Sequence, residues 1–233
     1  MPVLDEPVVL PRLAFLTAWR MLDLGEAPAA LGTDRHHWIR EDAVRELEDR
    51  TMAALTRLGL ARNHRLNDLW RGSLRILAHA DHEFYSWTEH RDGGCGAVLV
   101  AAREEEAVRL VADDAAVLVE PVRPAWLATS LLDTLPDADG AGVPDLAVPD
   151  HALPAWLTQA PRDAVHQLYT ARRTRAGRIR SRPLTALDLT DGGRVLTYPA
   201  EDRTVVVTSG TPQAIVTLLN ETHSGLGRPG AGR

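Results

Sequence analysis

The clearest alternation of apolar and polar positions lies in residues 84–135, where it predicts four strands followed by one helix. Tyr85 and Trp87 alternate with polar neighbours, which is the period of a strand with one buried face. Residues 97–102 form a continuous apolar run, as expected for a strand in the middle of a sheet. Because turn residues leave only short connections between these strands, we expect an antiparallel meander.

The same order of elements returns in residues 165–222. Strands separated by glycine-containing turns lead to Thr211 and Pro212, which suit the cap and the first position of a helix. The first meander ends AAVLVEPVRPAWLATSLLDTL and the second ends RTVVVTSGTPQAIVTLLNET, and both contain a strand, a short link, a proline and an apolar helix. We therefore interpret the chain as two divergent halves of one fold rather than as an array of short repeats.

Three helices are predicted before the first meander, after a short strand at residues 8–10. The first covers residues 12–24, the second covers residues 35–58 with Asp34 as its cap, and the third follows Asn63 as its cap. Each has apolar residues at helical spacing, so we expect each to bury one side against a core.

A change in composition at residues 136–142, PDADGAG, indicates the joint between the halves. The predicted organisation is an N-terminal half at residues 1–136, a shorter C-terminal half of the same fold at residues 143–222, and a flexible tail at residues 223–233. The second half retains the strands but has little helix, with one short helix predicted at residues 152–159.

Composition and charge favour a folded protein of the cytoplasm. The chain has 233 residues, 45% of them apolar and 25% charged, which is ordinary for a globular protein. Its net charge of −6 provides no overall attraction to nucleic acid or to an anionic membrane. The single Cys95 excludes an internal disulfide and fits a reducing compartment. We find no apolar stretch of membrane-spanning length, and the acidic N-terminus does not resemble a secretory signal.

Candidate catalytic and metal-binding patterns are weak. The letters at residues 225–230 match G-x-G-x-x-G, but no strand precedes them and no helix follows, so we interpret the match as a coincidence. The acidic clusters at residues 104–106 and 113–114 fall in predicted turns, where carboxylates are solvated. The sequence contains no HExxH, P-loop or nucleophile elbow, and the histidines are interpreted as solvated or capping residues. We therefore expect a protein without catalytic residues, metal or cofactor.

Six arginines lie between Arg172 and Arg182, where alternate positions would form one charged face of a strand. They could bind an acidic ligand or nucleic acid, which is the alternative function for this chain. They could also form a solvent-exposed face that prevents pairing at a sheet edge. Because no aromatic residues are interleaved for base stacking, we favour the second interpretation.

Four segments, taken in order, resemble the EspG family of actinobacterial type VII (ESX) secretion-associated proteins. They are LAFLTAWRMLDLGEAPAAL, LRILAHADHEFYSW, AVLVAAREEEAVRLV followed by PAWLATSLLDTLP, and TARRTRAGRIRSRPLTALDLTDGGRVLTY. None is a catalytic motif, and the resemblance depends on their order over nearly the whole chain.

The resemblance implies an α+β fold in which a central antiparallel sheet is flanked by two helical bundles and the halves are related by a quasi-two-fold axis. It also implies a cytoplasmic chaperone, monomeric or weakly dimeric, that binds the apolar tip of a secreted PE–PPE-like helical heterodimer and does not bind nucleic acid. The shorter second half departs from the family between residues 148 and 165. The client could therefore be another helical-hairpin protein.

The resemblance also points to a binding surface, because the family's loop between its second and third strands contacts the substrate. The candidate partner-binding residues are Arg91, Asp92, Gly93, Gly94, Trp156 and Leu157. The first four form the predicted hairpin turn, and the other two lie on the helix expected to line the groove. Tryptophan is a frequent anchor at interface centres, although the sequence slightly favours Trp156 as an ordinary core residue over an exposed one.

Overall fold

A computed structural model describes residues 2–31, 41–200 and 203–227 of the chain. Within them the strands are β1 (Val8–Pro11), β2 (Ala61–Arg62), β3 (Arg65–Leu66), β4 (His82–His90), β5 (Cys95–Arg103), β6 (Glu106–Ala112), β7 (Ala116–Val122), β8 (Leu146–Pro149), β9 (Arg162–Thr174), β10 (Gly177–Arg180), β11 (Leu184–Leu189), β12 (Gly193–Pro199) and β13 (Thr204–Ser209). The α-helices are α1 (Arg12–Met21), α2 (Glu41–Arg57), α3 (Asp68–His79), α4 (Leu127–Leu132), α5 (Ala155–Gln159) and α6 (Pro212–Gly225). Short 3₁₀ turns cover Ala29–Leu31 and Pro124–Trp126.

One large antiparallel sheet contains strands from both halves of the chain. Its order is β1-β7-β6-β5-β4-β9-β11-β12-β13-β8, and β10 also pairs with β9. The halves meet at β4 and β9, which pair over nine residues from His82 opposite Arg172 to His90 opposite Ala164. The expectation of a shared sheet is therefore confirmed. From this central pair the first half continues outward through β5, β6, β7 and β1, and the second through β11, β12, β13 and β8. Superposition of the two halves through a two-fold rotation stays a prediction.

The predicted meander of four strands and a helix is confirmed as β4, β5, β6, β7 and α4. In the second half, Thr211 caps α6 as predicted, because its hydroxyl accepts a hydrogen bond from the Ala214 amide at 3.2 Å. These elements were predictable since each depends on local periodicity and on turn or cap residues.

The assignment of Asn63 as the cap of the third helix is wrong. Asn63 and His64 have positive φ angles of 50° and 56° and form the tip of the small β2–β3 hairpin. The cap is Asn67, whose side-chain oxygen accepts a hydrogen bond from the Trp70 amide at 2.7 Å. Asparagine is favoured both at positive φ and at helix caps, so the letter alone does not distinguish the two positions. Asp34, predicted to cap the second helix, lies outside the described residues.

The two faces of the sheet pack against different helices. We call the side that carries Tyr85, Leu99 and Leu110 the front face. It packs against α1 and α3, and α2 packs on α1 in the same core cluster. The opposite side, which carries Phe84 and Leu168, is the back face and packs against α4 and α6. The chain thus has the flanked-sheet α+β fold that the resemblance implies.

The front face is covered differently in the two halves. In the second half a small cluster contains Leu157 of α5 with Leu187, Val195 and Val207 of the sheet. Gln167, in the middle of this face, is exposed and its cross-strand neighbour Thr185 is half-buried. The shorter helical content of the second half, α5 being five residues long, leaves this part of the sheet open.

The predicted joint at residues 136–142 packs closely against β12. Gly140 forms a parallel bridge with Arg194, and the Arg194 amide donates to the Asp139 carbonyl at 2.7 Å. A Cβ at Gly140 would lie 2.3 Å from the Ser209 hydroxyl, so this close approach requires glycine.

The C-terminal helix extends beyond the predicted boundary at residue 222. Helix α6 continues to Gly225, and Leu226 is buried with 8% of its surface exposed. The predicted tail therefore begins with packed residues, and its last six residues, 228–233, lie outside the described part. None of the described helices has the length and apolarity needed to cross a bilayer.

Candidate partner-binding site

The β4–β5 turn presents Arg91, Asp92, Gly93 and Gly94 to solvent. Its backbone is closed by hydrogen bonds from the His90 amide to the Gly94 carbonyl at 2.8 Å and from the Gly93 amide to the His90 carbonyl at 2.9 Å. The Asp92 carboxylate accepts a hydrogen bond from the Gly94 amide at 2.9 Å, and Gly93 has a φ of 85°. Asp92 and Gly93 therefore define the shape of the turn, while the Arg91 side chain is 66% exposed and available for contacts.

The start of β9 holds this turn in place. The Arg91 amide donates to the Asp163 carbonyl at 2.9 Å, and the Arg91 guanidinium lies 3.9 Å from the Asp163 carboxylate. The same carboxylate accepts a hydrogen bond from the Thr190 hydroxyl at 2.9 Å. Asp163 thus connects the β4–β5 turn to the turn that follows β11. The sequence alone did not identify Asp163 because its role depends on the register between β4 and β9.

The two candidate residues of α5 have opposite environments. Leu157 is 3% exposed and anchors the helix in its small core cluster, whereas Trp156 is 41% exposed. The alternative in which Trp156 is a core residue is wrong, because the helix turns it away from the cluster that buries Leu157. Direct contact with a partner would fall to Trp156, with Leu157 holding the helix that presents it.

The structure brings the turn and α5 to the same end of the sheet. Arg162 donates to the carbonyls of Leu157 and Thr158 at 2.9 and 3.2 Å, and so holds the C-terminal end of α5. The next residue, Asp163, holds Arg91. We call the surface formed by the β4–β5 turn and Trp156 the turn end of the molecule. Consecutive residues of one strand therefore position both predicted parts of the site.

Aromatic side chains continue the front face away from the turn end. The ring centroids of Tyr85 and Tyr169 lie 5.1 Å apart in a stacked arrangement, and Trp87 packs edge-on to both at 5.2 and 5.1 Å. Burial raises the pKa of Tyr169, which therefore stays neutral at physiological pH. Trp87 is half-buried, so it offers apolar surface beside the exposed Gln167.

A buried network of polar side chains on the back face has the composition of a catalytic triad. His166 contacts the Thr88 hydroxyl at 2.8 Å and the Asp188 carboxylate at 3.0 Å, while Arg194 binds Asp188 at 2.5 and 2.9 Å. A hydroxyl, an imidazole and a carboxylate are the components of an acyl-transfer triad. His166 is fully buried, however, and Arg194 is also held by the Pro136 carbonyl at 2.8 Å. These contacts connect β4, β9, β11 and β12.

Electrostatics in this network keep Asp188 ionised. Burial raises the pKa of Asp188, but hydrogen bonds from Arg194 and His166 outweigh it and hold the pKa well below its usual range. No group of three or more potential metal ligands occurs in the described part of the chain.

The sequence profile of the EspG family matches residues 11–221. This chain belongs to the EspG family. Comparison with curated protein sequences found no match. Among solved structures, the EspG-family chain is similar to the type VII secretion system chaperone EspG5 of Mycobacterium tuberculosis, solved in complex with a PE25–PPE41 dimer. The TM-score is 0.73 and the sequence identity is 18%, over 92% of this chain and 94% of that one.

At this identity the likeness to EspG5 concerns the fold. It agrees with the architecture described above and confirms the family expectation of a large antiparallel sheet with helices on its faces. The partner-binding role of Arg91, Asp92, Gly93, Gly94, Trp156 and Leu157 stays a prediction for this EspG-family chain.

Proposed function

We propose that this EspG-family protein is a cytoplasmic chaperone of a type VII secretion system that binds the apolar tip of a secreted helical heterodimer of the PE–PPE-like kind. Family membership and the fold shared with the chaperone EspG5 support the class of function. The observation that carries the site is the exposed Trp156, which lies at the same end of the sheet as the β4–β5 turn.

The turn end has the balance of surfaces that such a chaperone requires. It must cover an apolar tip without exposing a large apolar patch of its own when it is empty. One exposed tryptophan beside a charged, glycine-containing turn satisfies both conditions. The indole provides a large rigid contact, and tryptophan is enriched among residues that dominate binding energy.

The polar part of the site would surround this anchor. The Arg91 guanidinium is 66% exposed and only loosely paired with Asp163 at 3.9 Å, so it can turn toward a carboxylate or a carbonyl of the client. Gly93 and Gly94 have no side chains, so a client backbone can approach the turn closely. Arg162 and Asp163 keep both parts in a fixed relation, which lowers the entropy lost on binding.

The test is co-expression of the full chain with the helical heterodimer encoded beside its gene, followed by measurement of affinity. Trp156→Ala should weaken binding by roughly tenfold or more because the anchor is lost. The matched control is Trp126→Ala, which removes an indole that is 54% exposed at the start of α4 on the back face. The control should bind as the parent does. Equal affinity of the Trp156→Ala variant and the parent would remove α5 from the interface.

The same assay tests the turn through Arg91→Glu, which should also weaken binding. Arg62→Glu, at an exposed arginine of the small β2–β3 hairpin, is its control. At Asp92, the substitution Asp92→Asn removes the charge without changing the turn, because an asparagine oxygen can still accept the hydrogen bond from the Gly94 amide. Exchanging the charges of Arg91 and Asp92 would remove that bond and alter the turn itself. Failure of the parent protein to bind the heterodimer would overturn the chaperone assignment.

A further inference from the structure

A second surface of the molecule lies at the end of the sheet opposite the turn end. The hairpin of β9 and β10 carries Arg172, Arg173 and Arg175 on one side of its tip and Arg178, Arg180 and Arg182 on the other. Along β4, Arg172 lies opposite His82, whereas the β4–β5 turn follows His90. Eight residue steps separate these positions, or about 26 Å along an extended strand. The two ends can therefore bind different partners at the same time.

Two of the six arginines have structural roles. Arg178 makes a bidentate ion pair with Glu83, with its Nη2 2.7 Å and its Nε 3.0 Å from the carboxylate oxygens. Arg173 donates to the carbonyls of Ala80 and Ala78 at 3.2 and 3.3 Å and so covers the C-terminal end of α3. The guanidinium groups of Arg173 and Arg178 are therefore already bound by groups within the chain.

The other four arginines have exposed side chains. Arg172, Arg175, Arg180 and Arg182, which we call the arginine end, form no ion pair with any acidic residue that the structure describes. Arg180 instead lies over the Tyr169 ring, with its guanidinium carbon 6.0 Å from the centroid. Four unpaired like charges so close in sequence repel one another. A negatively charged partner would reduce this repulsion.

The hairpin is rigid enough to present these charges in a fixed array. The Thr174 hydroxyl donates to the Gly177 carbonyl at 2.9 Å and accepts from the Ala176 amide at 3.2 Å. After β10, the Ser181 amide donates to the Thr170 carbonyl at 2.8 Å, and the Ser181 hydroxyl accepts from the Thr170 amide at 3.0 Å. Both ends of the hairpin are held, so binding would order few additional groups.

Protection of a sheet edge does not account for the whole cluster. Among the described strands, β10 pairs with β9 alone, so its outer edge is open and charges there oppose edge-to-edge association. That purpose requires charge on β10 itself. Arg172 belongs to β9, Arg175 to the tip and Arg182 to the segment after β10, so three of the four unpaired arginines lie outside the strand that would need protection.

We propose that the arginine end binds a short acidic segment of a protein partner, with carboxylates engaged by guanidinium groups in bidentate fashion. A short segment fits better than a long polyanion, because Glu104 and Glu105 occupy the β5–β6 turn at the same end of the sheet and the whole chain has a net charge of −6. This surface is separate from the turn end, and the inference does not depend on the proposed chaperone function.

The test measures binding of a fluorescein-labelled oligoglutamate peptide to the full chain by fluorescence polarisation at low and at physiological ionic strength. A variant with Arg175→Glu, Arg180→Glu and Arg182→Glu should weaken binding by roughly tenfold or more. The control replaces Arg57, Arg62 and Arg65, three exposed arginines elsewhere in the chain, with glutamate and makes the same change in net charge. It should bind within roughly twofold of the parent at physiological salt, where distant charges are screened. A glutamine version of the first variant keeps the test valid if charge reversal prevents folding.

Three results would overturn the inference. Equal losses in the arginine-end and control variants would mean that the peptide responds only to net charge. Tighter binding of a DNA duplex than of the peptide, lost in the same variant, would assign the surface to nucleic acid instead. Absence of peptide binding by the parent at low ionic strength would also reject it, since electrostatic attraction is strongest there.

Discussion

At the scale of single residues, the buried carboxylate of Asp188 on β11 connects this strand to β9 and β12. It accepts hydrogen bonds from Arg194 and His166, and His166 in turn contacts Thr88 on β4. Arg194 is 1% exposed, so its charge depends on Asp188 for compensation. A buried charge left without its partner is among the most destabilising changes a protein can undergo.

Asp188→Ala should therefore lower the free energy of unfolding by about 3 kcal/mol or more. Chemical denaturation at neutral pH measures this change, and Asp188→Asn provides a milder variant if the alanine protein does not fold. The control is Glu46→Ala, which removes an ion pair with Arg50 on the surface of α2 and should cost about 0.5 kcal/mol or less. A loss below about 1 kcal/mol for Asp188→Ala would show that the network contributes little.

Trp156 and Leu157 illustrate how adjacent residues come to have different roles. Both are large and apolar and both lie on α5, but their side chains point in different directions around the helix. The sequence predicted that they share a helix, whereas the packing of α5 on Leu187 and Val195 determined which of the two stays exposed.

At the scale of elements, α6 packs on the back face partly through a pair of histidines. His223 of α6 stacks on Phe84 with ring centroids 4.9 Å apart, and its Nε2 lies 3.3 Å from Nδ1 of His82. Burial, together with the neighbouring His82 and Arg172, lowers the pKa of His223 to about 4. Burial and Arg172 also lower the pKa of His82. Both rings are therefore neutral in the folded protein at neutral pH.

This pair predicts a loss of stability on acidification. An unfolded histidine titrates near 6.5, so between about pH 6.5 and pH 4 the unfolded chain binds protons that folded His223 does not. Stability should fall through that window, by about 1 kcal/mol from His223 once its partial exposure is taken into account.

Chemical denaturation at pH 7 and at pH 5 measures the effect. His223→Gln should reduce the difference in the free energy of unfolding between these two pH values. His79→Gln, at an exposed position of α3, is the control and should leave it unchanged. If His223→Gln retains the full pH dependence of the parent, the acid sensitivity arises elsewhere.

At the scale of the whole molecule, the two halves form one structure because the sheet continues through β4 and β9. The first half covers its front face with α1 and α3, which α2 packs against in turn, while the second retains only α5 there among the described residues. That asymmetry leaves Gln167 and the side chain of Trp156 exposed. The proposed binding surface thus results from what the second half lacks as much as from what it contains.

The C-terminal boundary of this single unit can be tested by truncation. Removing residues 228–233 should leave the melting temperature unchanged, because this truncation retains Leu226, the last buried residue that the structure describes. Removing residues 223–233 also deletes Leu226 and His223. Loss of one buried leucine costs about 2 kcal/mol, which should lower the melting temperature by roughly 5 °C. Equal melting temperatures for both truncations would contradict the role of Leu226.

The sequence by itself determined the meander, the capped α6 and the family. Each depends on local information, namely the period of apolar residues, the residues at turns and caps, and the order of segments along the chain. The sequence also indicated the residues of the β4–β5 turn and of α5 as parts of a site, through resemblance.

Only the tertiary structure decided how these parts are used. Asn67 rather than Asn63 caps α3 because a small hairpin intervenes between them. Arg162 and Asp163 connect α5 to the β4–β5 turn because the register of β9 on β4 places them there. Asp188 meets His166 and Arg194 through pairing of three strands. Such contacts join residues distant in sequence, and their formation depends on strand register and packing, which local periodicity does not specify.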